Sequence, residues 1–239
     1  LPYPIITLKP GKDQSLKRFH PWVFSGAIAH IPEDLEEGAI VAVHNPRGTF
    51  LGVGHYQIGS IRVRICTFEE EELTEEIWQK KLARSIEVRQ QAGLSGREDH
   101  NMYRLIHGEG DGFPGLIVDL YGSVAVMQCH SIGFYHIREL LARLIQEMVG
   151  VEAVYDKSEH ALPFKAPINP KDGFLIGENK EWKSLENGNQ YRIDVVGGQK
   201  TGFFIDQREN RSLLGKYAEG REVLNTFCYT GGFSVAAMR

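Results

Sequence analysis

The chain has 239 residues, 42% hydrophobic and 24% charged, with a formal net charge of −4. This is the composition of an ordinary globular protein long enough for about two domains, and its overall acidity argues against a general polyanion binder. No apolar run approaches the ~18 residues of a membrane-spanning helix, and no basic-then-apolar leader opens the chain, so membrane contact is not expected.

Residues 5–68 read as short strands punctuated by glycine and proline. Ile40 to His44 and Thr49 to Val53 flank an Asn45-Pro46-Arg47-Gly48 turn, and Ile61-Arg62-Val63-Arg64-Ile65 alternates strictly, with both arginines on one face. A small, partly closed β-barrel is expected. This segment is basic within an acidic chain: through Phe68, seven Lys and Arg face five Asp and Glu, a balance of +2 that leaves −6 for the rest. Lys17-Arg18-Phe19-His20-Pro21-Trp22 interleaves cations with rings, a mixture that suits phosphates and stacked bases. Equally, Trp22, Val23 and Phe24 read as core residues with a solvated basic rim.

Glu69 to Glu72 is an acidic run, and Thr74 caps a predicted helix that continues to Gln91 and ends at Gly93. Trp78, Leu82 and Ile86 give that helix one apolar stripe, and it reads as a linker. His107-Gly108-Glu109-Gly110-Asp111-Gly112 reads as a polar turn and not a metal motif, and no metal is expected. Two strands surround Gly122-Ser123, one amphipathic helix carries Phe134 to Met148, and Val151 to Tyr155 returns as a strand. A proline-rich loop (Pro163, Pro167, Pro170), a strand near Phe174 and a pair around Asn187-Gly188 complete an α+β unit.

Gln190 to Phe204 reads as a hairpin turning at Gly197-Gly198, and Asp206 has the spacing of an N-cap for a helix from Gln207 to Tyr217. Val223-Leu224 is a short strand entering the turn Asn225 to Gly232, from which a small-residue helix starts. Strand, glycine turn and helix N-terminus make the corner where α/β folds bind nucleotide-like ligands. In that geometry Gln207 faces the same crevice as Thr230-Gly231-Gly232. Phe227 and Tyr229 beside Asn225 supply apolar walls and a hydrogen-bonding group. The turn is not GxGxxG and has no P-loop lysine, which disfavours a dinucleotide-dependent oxidoreductase. Cys66, Cys129 and Cys228 have no metal or redox spacing and are odd in number, favouring a reducing cytoplasm, and Cys228 reads as a buried structural thiol.

Four blocks carry a resemblance across nearly the whole chain. They are His20 to Ala27, Tyr103 to Gly115, Lys200 to Arg208 and Val223 to Phe233. Together they are similar to the bacterial ribosomal RNA large-subunit methyltransferase I family, cytosine-5 methyltransferases that use S-adenosylmethionine. The resemblance implies a β-rich PUA RNA-binding barrel (residues 1–70), a helical linker (71–102), a central α+β domain (103–188) and the start of a Rossmann-like α/β methyltransferase domain (189–239). It implies cofactor contacts from Lys200, Thr201, Phe204, Gln207, Asn225, Phe227, Tyr229, Thr230 and Gly231. It also implies ribosomal RNA contacts from Lys17, Arg18, His20 and Trp22, and it leaves room for a homodimer. The family's nucleophilic cysteine is expected beyond Arg239, so no catalytic residue is assigned within the chain. The rival reading is an RNA-binding module without enzymatic activity.

Overall fold

A computed structural model describes residues 1–163 and 168–238, so the expectations placed on Pro167 and Arg239 lie outside the described residues. The first unit is one curled sheet. Its strands are β1 (Ile5–Leu8), β2 (Trp22–Phe24), β3 (Ile28–His30), β4 (Ile40–His44), β5 (Phe50–Tyr56) and β6 (Ile61–Thr67). They lie in the order β2-β6-β5-β4-β1-β3, with β1 and β4 parallel. The two-residue period decides what is inside: Ile6, Leu8, Val41, Val43, Val63 and Ile65 form its core, while Arg62 and Arg64 take the other face of β6. The Asn45 side chain makes the β4–β5 turn, accepting from Arg47 N at 2.9 Å and Thr49 N at 3.0 Å.

Helix α1 (Glu75–Gln91) begins at Thr74, whose side chain makes no capping bond, and buries Trp78 and Leu82 in the core of the second unit. That unit is a mixed sheet of β7 (Met102–His107), β8 (Leu116–Tyr121), β9 (Val124–Cys129), β10 (Ala153–Asp156) and β11 (Gly173–Ile176). The order is β11-β10-β9-β8-β7, and only β9 and β10 run parallel. Both faces are covered, so alternate residues of β9 serve different cores. Ala125 and Met127 face α1 and α3, while Val124 and Val126 face Trp182, Tyr191 and Phe203.

Several expectations need correction. The single helix from Phe134 is two, α2 (Ile132–His136) and α3 (Arg138–Val149), broken at Ile137. There Arg138 folds back, donating to Tyr135 O at 2.8 Å with its guanidinium 4.0 Å above the Tyr135 ring. The hairpin turning at Gly197-Gly198 does not form. Instead β13 (Asn189–Ile193) pairs back onto β12 (Trp182–Glu186) through Asn187 and Gly188, both at positive φ. Asp194 then curls the chain, its carboxylate accepting from Gly197 N at 2.8 Å and its carbonyl from Gly198 N at 3.0 Å. Asp206 caps nothing: a 3-10 turn over Ile205–Gln207 leads into α4 (Arg208–Ala218) without a side-chain cap. Val223 and Leu224 form no strand, and Leu224 is 88% exposed, because no described strand lies beside them to take their backbone hydrogen bonds. Cys228 is exposed, whereas Cys66 and Cys129 are buried. The chain's final element is α5 (Gly232–Ala237).

The two units share a packed junction. His55 of β5 lies against Trp78 and Phe134, and so close to α2 that a Cβ on Gly133 would overlap its ring. Ile132 N donates to Gln57 Oε1 at 3.2 Å across the same seam. Among the described residues no helix is long and apolar enough to cross a membrane.

Candidate functional site

A buried polar network organises the site. Asp119, inside the apolar strand β8, accepts from Arg104 Nε at 2.8 Å and Nη2 at 3.0 Å and from Thr201 Oγ1 at 2.6 Å. Thr201 Oγ1 also pairs with the Tyr121 hydroxyl at 2.7 Å, and that hydroxyl accepts from Phe203 N at 3.2 Å. The short segment before α4 is thereby pinned to the sheet. With Asp119 beside it the Arg104 guanidinium is held charged, its pKa raised further.

Pinning Thr201 fixes its neighbours. Lys200 adopts φ 51° and sets its ammonium 4.5 Å from the Phe204 ring centroid and 4.0 Å from Asp206. Phe204 in turn meets Tyr229 edge-to-face at 5.4 Å, and the Tyr229 hydroxyl accepts from Gln199 N at 2.7 Å. The structure therefore brings Lys200, Phe204 and Tyr229 together. Thr201 sits beneath them with its hydroxyl committed to Asp119 and Tyr121. Gln207 spends its amide on Asp206 and on Asn210, whose Nδ2 donates to Gln207 Oε1 at 2.8 Å. Asn225 Nδ2 donates to Ser234 Oγ at 3.0 Å, tying the turn to α5. Thr230 is exposed, and Gly231 stands at φ 77° with open space where a Cβ would project.

Two recesses flank this corner. One, of about 260 Å³, is lined by Leu214, Val223, Leu224, Asn225, Thr226, Phe227 and Phe233. Phe227, 93% exposed, gives it an apolar wall beside the polar Asn225, which suits an adenosine-like group in kind. The other is a cleft of about 620 Å³ between α1, β7 and the Lys200–Glu209 stretch, with Arg104, His107, Lys200 and Arg208 among its lining residues.

At the other end, Lys17 is bonded to Asp13 at 2.7 Å, and this partner pulls the Asp13 carboxyl below its ordinary pKa. Arg18 and Phe19 are exposed, with Phe19 at φ 61°. His20 Nδ1 accepts from Trp22 N at 3.2 Å, and the indole Nε1 of Trp22 donates to Glu109 Oε1 at 2.7 Å. Of the three residues read as core, Val23 is buried, Trp22 is half-buried and Phe24 is 47% exposed. Trp22 thus clips the first unit to the 108–111 turn, which forms a 3-10 helix as a polar turn should. Glu109, Arg104, Asp119 and Tyr121 were not among the candidate site residues. The available signal was Asp119, a lone carboxylate in an otherwise apolar strand. Burial pushes the Cys66 thiol up to about 12 and raises that of Cys129, so neither holds a reactive thiolate. Among the described residues no group of His, Cys, Asp or Glu could hold a metal ion.

The first unit, residues 6–68, matches a PUA-like domain family model, and residues 104–239 match that of the S-adenosylmethionine-dependent methyltransferases. The chain belongs to this methyltransferase family. It is 38% identical to the ribosomal RNA large subunit methyltransferase I of Shewanella amazonensis, over 98% of this chain and 60% of the relative. The protein of the same name from Photobacterium profundum is 37% identical over 98% of this chain and 60% of its own length, and that from Klebsiella pneumoniae 34% over 99% and 60%. The chain thus spans about 60% of the length of the curated relatives it matches. Among solved structures, a putative SAM-dependent methyltransferase from Streptococcus mutans superposes with a TM-score of 0.78 at 24% identity, covering 98% of this chain and 60% of that one. A putative methyltransferase complexed with SAH gives 0.79 at 24%, covering 98% and 59%. These likenesses support the multidomain fold, a PUA-like β unit followed by the mixed-sheet methyltransferase unit.

Proposed function

We propose that this chain is the RNA-engaging and cofactor-engaging part of an S-adenosylmethionine-dependent enzyme that makes 5-methylcytosine in large-subunit ribosomal RNA in the cytoplasm. The observation that carries this reading is the meeting of the Lys200–Arg208 stretch with the Asn225–Gly231 turn through the Phe204–Tyr229 ring pair, in a chain of this family. Asn225, Phe227, Tyr229, Thr230 and Gly231 would hold the cofactor, with Phe204 as a wall and Lys200 and Gln207 at the rim. Thr201 would act beneath them as a positioning residue. When bound, the cofactor supplies the methyl group. The chain's own part is to orient the adenosine against Tyr229 and Phe227, and to hold cationic groups where RNA approaches. Cytosine C5 becomes nucleophilic once a thiolate adds at C6. Cys66 and Cys129 are buried, and the exposed Cys228 lies inside the turn proposed to hold the cofactor, where it would meet the cofactor and not the base, so the proposal names no catalytic residue within the chain. Lys17, Arg18, His20 and Trp22 would meet RNA, Trp22 through its ring and not through its N–H, which is already bonded to Glu109.

Calorimetry with S-adenosylmethionine tests the cofactor half. The chain should bind, and Tyr229→Ala should weaken binding about tenfold, the effect of losing one aromatic contact worth about 1.4 kcal/mol. No binding by the unaltered chain would sink it and favour the non-catalytic RNA-binding module.

A further inference from the structure

The turn that Trp22 clips lies between two clefts. One is the 620 Å³ cleft beside Lys200. The second, of about 470 Å³, runs along α1 and is lined by Lys80, Lys81 and Arg84 on the helix and by Gly110, Asp111 and Gly112 of the turn. Val88, Gly110 and Asp111 line both, so the clefts adjoin at these residues.

The charges along this track are unequal. Asp111 is neutralised by a two-pronged bond from Arg89, one prong at 2.7 Å. Lys80, Lys81 and Arg84 form no ion pair within 4.0 Å among the described residues. Lys81 is half-buried, its ammonium 3.0 Å from where a Gly112 Cβ would stand. Burial lowers its pKa, and Glu71, one acid that acts on it, is already held by Thr67 Oγ1 at 2.8 Å. An ammonium kept from water without a counter-ion is stabilised by an incoming anion. Val88, 45% exposed where the clefts join, offers an apolar surface.

We propose that the α1 groove, through Lys80, Lys81 and Arg84, binds the phosphate backbone of single-stranded RNA and leads it from the Trp22 junction past Val88 into the cleft beside Lys200. The inference deepens the RNA reading above and rests on it. Backbone phosphates fit because the groove offers two ammoniums and the Arg84 guanidinium beside glycine backbone, with no aromatic side chain in its lining on which a base could stack.

The test uses the 239-residue chain, a fluorescein-labelled 20-nucleotide oligouridylate and anisotropy titrations between about 50 and 200 mM KCl, a range over which phosphate contacts dominate affinity. The variant K80A/K81A/R84A should flatten the slope of log affinity against log salt by about 2, at roughly 0.7 per phosphate contact on a single strand. K80R/K81R should keep the slope, and S-adenosylmethionine affinity should be unchanged in both. An unchanged slope in the triple variant, with RNA still bound and with K17A/R18A flattening it instead, overturns the groove while leaving the RNA reading standing. Failure of the unaltered chain to bind RNA overturns that reading and the groove with it. Displacement of RNA by polyglutamate at equal charge concentration would overturn the choice of RNA in favour of an acidic protein.

Discussion

Thr201 separates a positioning role from direct cofactor contact, and its environment sets the magnitude. Its hydroxyl, in a residue 1% exposed, donates to Asp119 at 2.6 Å and pairs with Tyr121 at 2.7 Å. Thr201→Val keeps the shape and removes the hydroxyl. Tyr121 keeps Phe203 as a partner, so the main loss is a charge-assisted bond to a buried carboxylate, about 2 kcal/mol. Thr201→Ser keeps the bond and removes one methyl group, about 1 kcal/mol. Urea unfolding should therefore rank unaltered chain, then Ser, then Val, with similar m-values. Calorimetry should find S-adenosylmethionine affinity retained by Ser and weakened by Val, because Lys200 and Phe204 are held through this anchor. If Val is as stable as the unaltered chain but loses cofactor affinity, Thr201 touches the cofactor and the positioning argument is wrong.

Two further perturbations test the frame around the site. Burial holds His55 down at about 4, with the charges of His136 and Arg64 adding to the effect. The unfolded chain titrates its histidine near 6.5, so it binds more protons between those values and stability is lost as pH falls from about 6.5 to 4, by about 3 kcal/mol in all. Stability measured at pH 7 and 4.5 should differ accordingly, and His55→Ala should be less stable at pH 7 yet lack that window; an unaltered slope in the variant assigns the effect elsewhere. Arg211 is buried on Glu186 at 2.6 and 2.7 Å and also donates to Phe204 O at 3.0 Å. Arg211→Met should cost about 3–5 kcal/mol by stranding the carboxylate, and adding Glu186→Leu should recover most of it. A loss under 1 kcal/mol in urea unfolding of the single variant would show the pair to be solvated.

The β unit was legible because its alternation is local: Val63 and Ile65 point in and Arg62 and Arg64 out, as strand geometry demands. The Asn45 and Asn187-Gly188 turns were legible for the same reason, since each is built by its own residues. The break at Ile137 was not, because the apolar periodicity continues across it while Arg138 folds back onto Tyr135. The role of Thr201 was hidden likewise, since its partners lie about 80 residues away in β8. The aromatic corner could be read in kind from Phe227 and Tyr229, with Phe204 supplied by the family resemblance, but not the Asp119 network beneath it. Val223-Leu224 illustrates the opposite error, an apolar pair whose strand propensity has no described partner to realise it.

The seam where His55 meets Trp78, Phe134 and Gly133, together with the Trp22–Glu109 clip, is packed as tightly as a core and bonded at its edge. Such a seam does not hinge without exposing aromatic surface. The distance from the Arg18 loop to the Tyr229 corner is therefore set by the packing of this seam. On the proposed reading, a ligand engaging both ends would be selected for its span as well as its chemistry, and a side chain at Gly133, which would overlap the His55 ring, should alter that span without touching either end.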